Sequence, residues 1–90
     1  IIFIMDIENL WKNIKTKLLK NSFINNVEIE DKTYLHLNHA SHEKNRFHIK
    51  LIIYSEELKQ ISKLNSKKKI YKILDEEIKK YLHSIQILIK

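Results

Sequence analysis

Eight consecutive residues, Phe47 to Tyr54 (FHIKLIIY), place the strongest constraint on this chain. Phe47, Ile49, Leu51 and Ile53 alternate with His48, Lys50, Ile52 and Tyr54, which is the period of a strand. Two further stretches share that period. Val27 to Leu37 is extended, with Val27, Ile29 and Asp31 on one face and Thr33 and Tyr34 suited to a strand. Ser84 to Ile89 puts Ile85, Ile87 and Ile89 on one face.

Between the strands the period changes to that of a helix. Asp6 to Lys20 carries Ile7, Leu10, Trp11, Ile14 and Leu18 on a single stripe. Asp6 suits its N-cap, Glu8 its first turn, and Lys17 and Lys20 its last. Asn21 to Asn26 connects it to the first strand, with Phe23 and Ile24 tucked beneath. Ser55 is an N-cap followed by Glu56 and Glu57, opening a short helix to about Lys63. A longer helix starts at Asn65 or Ser66 and runs to about Leu82, burying Ile70, Ile73, Leu74, Ile78 and Tyr81 or Leu82. The order α-β-β-α-α-β predicts an α+β fold. The first two strands form an antiparallel hairpin, and the last joins them through a helical crossover. The result is a three-stranded mixed sheet with helices packed on one side. Residues 1–90 are read as one domain. Ile1 to Met5 is read as upstream sequence or the remnant of a removed presequence, too short for a signal peptide's apolar core.

Composition narrows the function more than the fold. The chain has no Gly, no Pro and no Cys, where an average chain of this length carries roughly six Gly and four or five Pro. Without Gly there is no phosphate-cradling loop, no dinucleotide fingerprint and no GXXG loop of the nucleic-acid-binding KH type. Without Cys there are no disulfides, thiol nucleophiles or Cys-based zinc sites. A net charge of +6 favours an anionic partner or surface in a general way. Lys is abundant throughout, so the same charge also fits a solvated Lys-rich surface. No segment is long enough to span a membrane.

Histidines are the remaining chemistry. His36, His39 and His42 recur at three-residue intervals in the polar stretch HLNHASHEKN. On their own they form a weak metal pattern, with solvated loop histidines as the plain alternative. His48 falls on the solvent face of its strand. His83 stands where the last helix meets the last strand, and its pattern alone reads as a residue bonding the final helix carbonyls.

Four stretches, in order and at matching distances, resemble the BolA family. They are VEIEDKTYLH (Val27 to His36), RFHIKLIIYS (Arg46 to Ser55), LNSKKKIYKILDEEI (Leu64 to Ile78) and LHSIQI (Leu82 to Ile87). The departures are specific. The family's R-H-R is Ser66, Lys67 and Lys68 here, its usual Gly in the short helix is Gln60, and the His before its strand Phe is Arg46. The hairpin loop is about one residue longer than the common form.

The resemblance implies a class II KH-like fold and a role in iron-sulfur metabolism beside a monothiol glutaredoxin. It implies a shared [2Fe-2S] cluster to which the glutaredoxin brings a cysteine and bound glutathione. It also implies that this chain brings His83 and a second ligand from the hairpin loop. His36 matches that position, three residues after Thr33, with His39 and His42 as alternates. The donor chemistry agrees: a chain without thiols cannot hold a four-Cys cluster alone, whereas imidazole is a sound [2Fe-2S] ligand. A neutral imidazole is easily protonated, so the site is expected to be labile below roughly pH 6.

Some bacterial relatives are described as DNA-binding regulators, which makes Lys67, Lys68 and Lys69 at the start of the long helix a second candidate site. No enzyme is expected: no nucleophile-base pair is evident, and the neighbouring Glu76 and Glu77 should diverge. The chain is expected to be a monomer when alone. The cytoplasm and a mitochondrial or plastid-type organelle both remain open as its location.

Overall fold

The computed structural model describes residues 6–32 and 47–90. Helix α1 (Ile7–Leu19) starts as expected: Asp6 accepts the Asn9 N–H at 2.8 Å. It buries Leu10, Ile14 and Leu18 completely, with Ile7 and Trp11 half-buried at the margins of the stripe. No glycine is available to end it. Instead the Asn21 side-chain amide donates to the carbonyls of Lys17 and Leu18 at 3.1 and 3.3 Å, satisfying acceptors that a helix end leaves open. Among the described residues none has a positive φ, so every turn uses right-handed or extended backbone.

Strand β1 (Asn26–Asp31) pairs antiparallel with β2 (Phe47–Tyr54), and β2 pairs parallel with β3 (Leu82–Ile89). The sheet order is β1-β2-β3. Register places Val27 beside Ile53, Ile29 beside Leu51, and Ile49, Leu51 and Ile53 beside Ile85, Ile87 and Ile89. That face meets Leu10, Ile14 and Leu18 of α1 and the helices after β2 in one apolar cluster. The opposite face carries Glu28, Glu30, Lys50, Ile52, Ser84, Gln86 and Leu88. The α+β fold and its three-stranded mixed sheet are therefore as the sequence predicts. The expected continuation of the first strand to Leu37 lies outside the described residues beyond Lys32.

The helical crossover differs in three places. First, α2 (Glu56–Lys59) is a single turn capped by Ser55, whose hydroxyl accepts the Leu58 N–H and donates to the Phe23 carbonyl. It stops well short of Lys63, because Ser62 takes an extended conformation and caps the next helix, accepting the Asn65 N–H at 3.1 Å. Second, α3 (Lys63–Ile73) consequently starts earlier than Asn65 or Ser66. Ser66 is buried inside it and donates to the Lys63 carbonyl at 3.0 Å. Third, the long helix is two. At Leu74 (φ −101°, ψ 19°) the ladder breaks and α4 (Asp75–Tyr81) begins.

No residue at Leu74 forbids a continuous helix. The break coincides with complete burial of Leu74 and with a turn of α4 that brings Glu77 onto Lys17 of α1. Helix α4 is short, but its exposed face carries Asp75–Lys79 and Glu76–Lys80 pairs at 3.1 and 3.0 Å. Such exposed i,i+4 pairs are screened by water and add only slightly to the helix. Tyr81 ends α4 and Leu82 begins β3, with no residue between them.

Candidate functional site

His83 is the second residue of β3, and it is exposed. A fault in pairing sets its direction. Phe47 pairs with Leu82 and His48 pairs with Ser84, so His83 is the extra residue of a bulge. A bulge re-aims a side chain out of the regular alternation. Here it places the His83 imidazole beside that of His48, with ring centroids 4.8 Å apart and planes inclined by 37°.

His48 corrects the sequence reading. It does lie on the face away from the helices, as alternation requires, but it is not solvated: only 3% of it is exposed. Its Nδ1 sits 2.8 Å from Ser84 Oγ, and the His83 ring stands against it. Its backbone is held too, since the His48 carbonyl accepts the Lys32 N–H at 2.7 Å. Sequence reasoning missed both His48 and Ser84. The available signal was topological: parallel pairing of β2 with β3 brings the starts of those strands to one end of the sheet.

His36, His39 and His42 lie outside the described residues. The flanks of their segment are placed, however. Lys32 bonds to His48 and Phe47 pairs with Leu82, so both flanks sit at the sheet end that carries His83. Among the described residues no three His, Asp or Glu side chains converge to hold a metal ion. What this part of the chain offers is one exposed nitrogen donor on a strand, backed by a buried imidazole. The whole chain has no thiol. Among the described residues these donors do not complete a metal centre by themselves, so a metal at His83 would need further ligands.

The basic triplet also moves. Lys67, Lys68 and Lys69 are all exposed, but they lie in the second turn of α3 and do not open it. Successive helical residues are about 100° apart, so the three do not share a face. Lys69 Nζ lies 5.8 Å from the centre of the Phe23 ring. Lys67 lines a groove against β3 together with Lys59, Lys63, Ile61 and Leu88.

Glu76 and Glu77 do not simply diverge. Lys17 reaches both, at 3.6 Å from Glu76 and 2.7 Å from the buried Glu77. The hydrogen bond to Glu77 holds the Lys17 ammonium above its usual range. The cluster ties α1 to α4, and its carboxylates are bridged by a cation. No helix among the described residues is long and apolar enough to cross a membrane.

Comparison with known proteins agrees with this architecture. The family model described as BolA-like protein matches residues 19–90. The BolA domain of SufE1 from Arabidopsis thaliana superposes with a TM-score of 0.71 at 32% identity, covering 88% of this chain and 87% of that one. BolA1 from Arabidopsis thaliana gives a TM-score of 0.69 at 26% identity, with 88% and 87% coverage. A search of curated protein sequences finds no match. The family match takes in every described strand, the crossover helices and the bulge at His83, and the chain belongs to the BolA-like protein family.

Proposed function

We propose that this chain is a non-enzymatic iron-sulfur protein that binds a monothiol glutaredoxin and shares a labile [2Fe-2S] cluster with it. The cluster is cargo, for trafficking, maturation or iron regulation. The observation that carries this reading is the exposed His83 imidazole, turned out at the head of β3 in a chain without a single cysteine. The thiolates then come from the partner and its glutathione.

This chain's own residues have limited, definable tasks. Leu82 and Ser84, both paired with β2, hold the bulge that carries His83, and His48 stands beside its ring. A second imidazole comes from the segment after Lys32, with His36 first and His39 or His42 as alternates. A neutral imidazole has the lone pair that a metal ligand needs.

The test is anaerobic reconstitution of the chain with a glutathione-loaded monothiol glutaredoxin. A visible absorption spectrum that appears only with both proteins, and is lost or shifted in His83→Ala, is the expected result. A spectrum indifferent to that substitution overturns the ligand assignment. Failure of the two proteins to associate overturns the whole reading.

The second reading, a nucleic-acid-binding regulator, draws on Lys67 together with Lys59 and Lys63 along the groove beside β3. Lysines contribute phosphate contacts more than base readout. Binding to duplex DNA that disappears near physiological salt, without sequence preference, would leave it as charge alone.

A further inference from the structure

We propose that His48 is a positioning residue for His83: it holds the exposed imidazole in one orientation at the head of β3. This rests on the reading that His83 meets the shared metal. His48 does not itself need to touch it.

Four observations converge. β2 is the central strand, so the His48 backbone is held on both sides, by Lys32 and by the pairing with Ser84. The side chain is buried, and the Ser84 hydroxyl fixes the ring at Nδ1. The bulge delivers the His83 ring to within 4.8 Å of it. His83 is otherwise exposed, and an exposed histidine ordinarily samples several rotamers.

The residue type matters as well as the position. Alternation points any residue at position 48 to this face. An imidazole supplies both a flat surface for His83 and a nitrogen for Ser84. Phenylalanine would keep the surface and lose the anchor, whereas glutamine would keep a polar anchor and lose the surface. Groups that orient a metal-binding histidine commonly change metal affinity or activity by about 10- to 100-fold.

The experiment compares wild type with His48→Gln, His48→Phe, Ser84→Ala and His83→Ala, each first shown to fold by circular dichroism. On the chain alone, NMR couplings report the His83 χ1 rotamer, and ring-to-ring NOEs report its contact with residue 48. On the complex with glutathione-loaded monothiol glutaredoxin, visible circular dichroism and the rate of iron loss to a chelator are read. The expected result is a single His83 rotamer in wild type and averaging in His48→Gln. That variant should show an altered cluster signal and lose iron about tenfold faster. His48→Phe and Ser84→Ala should fall between.

If folded His48→Gln keeps His83 as ordered as wild type, or keeps the wild-type signal and iron-loss rate, the proposal is overturned. His83→Ala separates the two levels of the argument. If it abolishes the signal while His48→Gln changes nothing, only the role of His48 fails. If it too leaves the signal unchanged, the ligand reading fails and this proposal falls with it.

Discussion

At the scale of single residues, burial decides which contacts matter. Glu77 is 3% exposed, while Lys17 stays partly in water. Removing Lys17 strands a buried carboxylate, whereas removing the Glu77 charge leaves a lysine that can turn outward. Lys17→Met is therefore expected to cost about 2–4 kcal/mol and Glu77→Gln less, measured by urea denaturation at neutral pH.

The sign with pH follows from the raised Lys17 value. The contribution of Lys17 is fully present below the ordinary lysine value of 10.5 and is lost as pH rises through the higher folded value. In Lys17→Met this alkaline loss should be absent. None of this clamp was legible in the sequence. Helical spacing showed two adjacent glutamates on α4, but the cation that joins them comes from an element sixty positions away. His83, by contrast, stands out as a candidate ligand only through its spacing from the other family stretches. On pattern alone it ended a helix.

At the scale of elements, caps set the boundaries. Ser55 and Ser62 each accept a backbone N–H at a helix start, but Ser55 also donates to Phe23 and is 1% exposed. Ser62→Ala should cost about 1 kcal/mol, and Ser55→Ala visibly more, since it leaves the Phe23 carbonyl without that donor. Equal losses in thermal or urea unfolding would contradict the double role given to Ser55.

The strands and α1 were readable because alternation and amphipathic spacing act locally. The crossover was less so. Ser62 and Ser66 are both acceptable caps by type, and choosing between them depends on which one the tertiary fold buries. The break at Leu74 has no local signal. The place of His48 required the register between β2 and β3, and a bulge shifts that register by one residue at the candidate site.

At the scale of the whole molecule, two surfaces lie at opposite ends of β3. His83 stands at its start, and the lysine-rimmed groove lies against Ile87, Leu88 and Ile89 at its end. They should be separable. Replacing Lys63 and Lys67 with Ala is expected to weaken retention on random duplex DNA at low salt and to leave any cluster signal unchanged.

The central claim is that this chain reaches iron through an imidazole. Electron spin-echo spectroscopy of the reduced complex tests it directly, with 15N-histidine incorporated into this chain alone and the glutaredoxin and glutathione unlabelled. The prediction is a 15N coupling of the strength of a directly bound imidazole that is diminished or lost in His83→Ala. A reduced cluster that shows no 15N coupling from the labelled chain would contradict the account.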